Sequence, residues 1–85
     1  MDKNELLKRT LKKQLYFAKQ LSGADLSAGI EKSLPITMKL LTELIKDGEV
    51  VELGYAPSTG GRRPMLYTLQ KDVYFILTVA MDQLF

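Results

Sequence analysis

The stretch GEVVELGYAPSTGGRRPMLYTL, Gly48–Leu69, decides the fold. Two β-prone runs, Val50–Leu53 and Met65–Leu69, flank a segment of proline, serine, threonine, glycine and arginine, the pattern of a hairpin with a long tip. Its loop, from Tyr55 to Pro64, is longer than an ordinary hairpin turn requires, and such loops tend to carry function. At the tip Gly60 and Gly61 let backbone approach another surface closely, and the adjacent guanidinium groups of Arg62 and Arg63 suit phosphate or a narrow minor groove. The bland alternative is a solvated turn with incidental charge.

Working towards the N-terminus, Gly48 stands where a helix ends. The segment from Leu34 to Asp47 places Thr37, Leu40, Leu41, Leu44 and Ile45 on one side at helical spacing. The opposite side carries Pro35, Ile36, Lys39, Thr42 and Lys46, with Met38 at the border. Pro35 suits a first helical turn, and Ser33 is placed to cap it. Glu31-Lys32-Ser33 reads as a tight connection. Before it, Ser22 and Asp25 have the spacing of a capping box that opens a short helix with Leu26 and Ile30 inward, and Gly29 weakens that helix. From Asn4 to Leu21 the residues Leu7, Leu11, Leu15, Ala18 and Leu21 form the apolar stripe of a first helix.

Three helices followed by a hairpin define an α+β chain, a winged helix-turn-helix. The second helix of such a pair enters the major groove, which is wide enough to admit it. This reading assigns Ser33, Pro35, Ile36, Met38, Lys39 and Thr42 on the third helix, and Arg62 and Arg63 on the wing, to DNA. Lys39 and Thr42 can reach phosphates or base edges, and Ile36 or Met38 a thymine methyl; Met38 can equally belong to the core edge.

Downstream, Val73–Val79 is a continuous apolar run with β preference and reads as a further C-terminal strand. It packs against the hairpin, pairs with a second copy, or belongs to something longer. The expected division is a reading domain at 1–71 and a strand segment at 72–85.

Composition narrows the function classes. Eighty-five residues, 46% of them hydrophobic, suffice for one small core, but at this size only about 60% of the surface leaves water, so help from a dimer is plausible. The absence of cysteine and histidine removes disulfides, the usual zinc sites and the commonest general base, so neither a cofactor, a metal nor catalysis is expected. Net charge is only +2, but the first twenty residues hold six basic side chains, Lys3, Lys8, Arg9, Lys12, Lys13 and Lys19, against Asp2 and Glu5. Those lysines form either a solvated face or phosphate contacts. No apolar run is long enough to span a membrane, and a cytoplasmic location is expected.

These residues also carry a resemblance. Ser22-Gly-Ala-Asp-Leu26, Ser33, Leu44, Gly48-Glu-Val50 and Ser58-Thr-Gly-Gly-Arg-Arg-Pro64 together resemble the N-terminal DNA-binding domain of ROK-family transcriptional regulators, of the xylose-repressor and N-acetylglucosamine-repressor type. The likeness runs from about Leu6 to Leu69, and its most specific part is Thr59-Gly-Gly-Arg-Arg-Pro64; the upstream helices also resemble regulators of the MarR kind. The resemblance implies a repressor that binds double-stranded DNA as a homodimer and is released by a sugar effector held in a kinase-like domain after the wing. Tyr74 to Met81 resembles the first strand of that domain, with Asp82 near its acidic phosphate-motif residue. Gln83 replaces the glycine expected next, and no ATP or sugar site can be assembled from what remains. Further departures are Glu31 where the family usually has glycine, Lys32 at a usually apolar position, and Ile36 and Met38 where Thr and Ser are common. Two rival readings are a winged helix for protein association, using Ile36, Met38 and the Val73–Val79 segment, and a remnant of a sugar kinase.

Overall fold

A computed structural model describes residues 2–56 and 64–84, with side chains through residue 80. The elements are α1 (Lys3–Ala18), β1 (Leu21–Ser22), α2 (Gly23–Ile30), α3 (Leu34–Lys46), β2 (Val50–Tyr55), β3 (Met65–Leu69) and α4 (Lys71–Leu84). Helices α1, α2 and α3 pack around Leu11, Leu15, Leu26, Ile30, Leu40, Leu41 and Leu44, and the sheet closes the core with Val50, Tyr67 and Leu69. The apolar stripes expected of the three helices therefore meet, except that Ala18 is exposed and Leu21 lies in β1.

Local chemistry explains the boundaries. Asp2 accepts the Glu5 N–H at 2.8 Å and starts α1. Ser22 and Asp25 form the expected reciprocal capping box: Ser22 Oγ accepts from Asp25 N–H at 3.1 Å, and the Asp25 carboxylate accepts from Ser22 N–H at 3.4 Å. Helix α3 ends as Gly48 enters the left-handed region at φ +77°, with Gly48 N–H bonded to Ile45 C=O and Glu49 N–H to Leu44 C=O. This pair of bonds is a Schellman ending. Helix α2 ends in the same way on Glu31, φ +56°, with Glu31 N–H to Ala28 C=O and Lys32 N–H to Ser27 C=O. The turn thus keeps the left-handed geometry that glycine favours while a glutamate occupies it. Ser33 occupies the N-cap position of α3, but contrary to expectation its side chain makes no capping bond.

The sheet order is β1-β3-β2, antiparallel throughout. Leu21 and Ser22, expected at the end of the first helix and at the next cap, pair with Tyr67 and Leu66, so β3 is the central strand. A two-residue strand carries no periodicity of its own, which is why the sequence does not announce it. The wing strands run in register from Val50↔Leu69 to Glu52↔Tyr67, then shift by one residue, so that Gly54, φ +110°, faces Leu66. Leu53 is the extra residue of this bulge.

The expected C-terminal strand is corrected: Val73–Val79 lies within α4. Val73, Tyr74 and Leu77, at helical spacing, pack against the core, while Phe75, Ile76 and Val79 are exposed. The helix starts with Tyr74 N–H on Gln70 C=O and satisfies its backbone within itself. Packing of the helical stripe overrides the β preference of the run.

Candidate nucleic-acid interface

Helix α3 divides sharply. Thr37, Leu40, Leu41 and Leu44 are at most 2% exposed, whereas Pro35, Ile36, Lys39 and Thr42 are exposed on the opposite side. Thr37 is a buried polar residue whose hydroxyl is spent on Ser33 C=O at 3.0 Å, so the inward face carries no unsatisfied group there. The outward face is the one that sequence spacing selected. Thr42 Oγ1 donates to Met38 C=O at 2.8 Å, which leaves its oxygen as an acceptor. Ser33 is exposed at the start of the same helix.

Met38 turns the other way. Its sulfur accepts from the Tyr67 hydroxyl at 3.8 Å and lies 3.2 Å from the position a Cβ would take on Gly23. Of the two readings of Met38, packing at the core edge is the one this geometry supports. Met38 and Tyr67 help to wall a cleft of about 690 Å³ between the starts of α2 and α3 and the base of the wing, together with Leu34, Pro64 and Met65. Tyr67 is 4% exposed; burial, then the charge of Glu52, then Tyr55, push its phenol above the usual tyrosine range. It joins the two candidate reading elements and was missed from sequence; the alternate burial of Tyr67 and Leu69 along β3 is the signal that could have found it.

The wing strands are in place, with Ala56 N–H bonded to Pro64 C=O at 2.8 Å. Arg62 and Arg63 lie outside the described residues.

The basic N-terminal helix resolves into distinct roles. Lys8 reaches Glu43 of α3 at 3.3 Å and Glu5 at 3.8 Å; Lys12 reaches Glu49 at 3.1 Å. Burial works against the Lys8 ammonium, but its hydrogen bond to Glu43 and the charges of Glu43, Glu5 and Asp47 outweigh that and raise its pKa. Lys19, at φ +74°, lays its ammonium 4.3 Å from the ring centre of Tyr74 and bonds its hydroxyl; Tyr74 in turn stacks on Tyr16 at 5.0 Å. Thr68 Oγ1 of β3 donates to Lys19 C=O at 2.6 Å. Lys8 and Lys12 thus tie α1 to Glu43 of α3 and to Glu49 just before β2, and Lys19, exposed after α1, ties to Tyr74 of α4.

Comparison with known proteins agrees with this architecture. No family model matches the chain. The xylose repressor of Caldicellulosiruptor bescii is 41% identical over 61 residues, which are 72% of this chain and 15% of the repressor. The chain thus spans only a small fraction of the length of that curated relative. Among solved structures, a MarR family transcriptional regulator from Silicibacter pomeroyi superposes with a TM-score of 0.71 at 15% identity, covering 93% of this chain and 50% of that one. NadR in complex with 4-hydroxyphenylacetate gives 0.69 at 25% identity, covering 86% of this chain and 50% of that one. The fold, the capped helix pair with its hairpin and the repressor likeness converge: the chain is a winged helix-turn-helix domain similar in sequence to xylose repressors.

Proposed function

We propose that the domain binds duplex DNA sequence-specifically, with α3 in the major groove and the wing on the adjoining backbone or minor groove. The observation that carries this is the two-sided α3: Thr37, Leu40, Leu41 and Leu44 are buried while Pro35, Ile36, Lys39 and Thr42 stand exposed on the opposite side. On this reading Lys39 and Ser33 contact phosphate or base edges, Thr42 accepts from a base amino group, and Ile36 meets a thymine methyl. Met38 supports the face from behind. Arg62 and Arg63 are assigned to the wing contact on their sequence alone.

Residues 1–71 are the reading part, and the likeness to xylose repressors supports release by a sugar effector held in a sensing part of the ROK type; Tyr74–Met81, being helical, does not supply the first strand of that part. The molecule acts as a homodimer without enzymatic activity. Support for pairing comes from α4, which is apolar on both sides: Val73, Tyr74 and Leu77 are covered, while Phe75 and Ile76 remain 68% and 64% exposed. A helix apolar all round is normally buried.

The experiment is a titration of binding to selected duplex DNA against salt, with Arg62→Ala/Arg63→Ala beside the parent chain. Each lost phosphate contact removes roughly 0.9 from the log–log slope. An unchanged slope removes the wing from the interface; no salt-sensitive affinity in the parent chain replaces DNA by a protein partner.

A further inference from the structure

Once Lys8, Lys12 and Lys19 are engaged within the fold, two cations brought together from distant parts of the chain stand out. Lys3 opens α1 and Lys32 sits in the turn between α2 and α3, yet both line one groove of about 200 Å³ whose other walls are Leu6 and Leu7. Both lysines are exposed, and among the described residues neither has an ion-pair or hydrogen-bond partner for its ammonium. The nearby acids are otherwise occupied in part: Asp2 caps α1 and Glu5 reaches Lys8. Glu31, next to Lys32, is exposed at the end of α2.

Two exposed ammonium groups lining one groove offer an anion two charge-assisted hydrogen bonds at once. The groove adjoins the residue that begins α3, since Lys32 precedes Ser33 directly. The stems of the two lysines can lie along Leu6 and Leu7 while their heads reach outward, which limits the conformational entropy lost on binding a phosphate.

We propose that Lys3 and Lys32 form a phosphate clamp for the DNA backbone at the edge of the site where α3 starts, separate from the wing. It supplies affinity and fixes the entry angle of α3 without reading bases. This inference rests on the DNA-binding reading above and adds a contact that neither α3 nor the wing provides.

The test uses the whole chain and a duplex selected from a random pool, with affinity measured by fluorescence anisotropy from low to moderate salt. Lys3→Ala/Lys32→Ala should lower the log–log salt slope by about 1.8, two phosphates at roughly 0.9 each, and leave the base preference of the selected site unchanged. Lys3→Arg/Lys32→Arg should restore the parent slope. Both side chains are exposed, so thermal melting of the variants should match the parent and exclude misfolding as the cause. A parent-like slope in the alanine variant overturns the clamp while leaving DNA binding intact. An altered base preference also overturns it, because a phosphate contact carries no sequence information. Absence of any salt-dependent affinity in the parent chain overturns the DNA reading itself.

Discussion

Gln14 of α1 lies directly across Gly29 of α2: a Cβ on that glycine would come within 2.1 Å of Gln14 Nε2 and 2.6 Å of its Cδ. Gly29 therefore marks a close crossing of two helices as well as a weak point in α2. Among the described residues Gln14 Oε1, buried there, has no hydrogen-bond partner.

The first prediction follows from that crossing. In isolation Gly→Ala in a helix gains about 1 kcal/mol. In the parent chain Gly29→Ala should lose most of this gain because the Gln14 amide must swing aside; in a Gln14→Ala background the full gain should appear. A urea-denaturation double-mutant cycle reads the coupling, expected above about 0.5 kcal/mol. Simple additivity would remove Gln14 as the obstacle.

Among the described residues two that are not glycine lie at positive φ, Glu31 at +56° and Lys19 at +74°. Glu31 has no compensating contact that depends on its side chain among the described residues, so Glu31→Gly should stabilise by roughly 0.5–1 kcal/mol in chemical denaturation. Lys19→Gly relieves the same kind of backbone strain but loses the ammonium over Tyr74, and should destabilise. Equal effects of the two changes would contradict the role given to Lys19.

Lys12 and Glu49 join α1 to the start of β2 at 3.1 Å, both partly sheltered. A cycle through Lys12→Met and Glu49→Gln should give a coupling of about 0.5–1 kcal/mol that weakens as salt rises. The same Lys12→Met change should leave the salt slope of DNA binding untouched, unlike loss of Lys3 and Lys32.

Tyr67 gives a pH signature. Its pKa is raised in the folded chain, so the folded state holds the phenolic proton more tightly than the unfolded state. Stability from this source is complete below the ordinary tyrosine value near 10 and is lost as pH rises from there through the folded pKa. Tyr67→Phe should flatten that alkaline decline in melting experiments. A decline as steep as the parent's above pH 10 would assign it to other groups.

Much of the architecture was legible in the sequence because the deciding signals are local. The capping box at Ser22 and Asp25, the glycine ending α3 and the two faces of α3 each follow from residues a few positions apart. What was not legible depends on distant partners. Leu21 and Ser22 become a strand only because Tyr67 and Leu66 arrive beside them, and Lys8 and Lys12 find acids 35 and 37 residues away. Val73–Val79 reads as a strand by residue type, but the stripe of Val73, Tyr74 and Leu77 is also helical, and packing chooses the helix. Within the candidate interface, Lys39 and Thr42 were foreseeable from α3 periodicity; the inward turn of Met38 required knowledge of Tyr67.

The central place of β3 has a consequence for how such a domain could evolve new targets. Tyr67 pairs with Leu21 on one side and Glu52 on the other, and its hydroxyl touches Met38 of α3. The wing and the third helix are thus set apart by a ruler whose middle mark is one aromatic side chain. On the proposed DNA reading, exposed residues such as Ile36 can be exchanged without moving that mark, altering which bases are favoured while the span is kept. A change at Tyr67 would alter the span itself, and with it the geometry of every site the domain could fit.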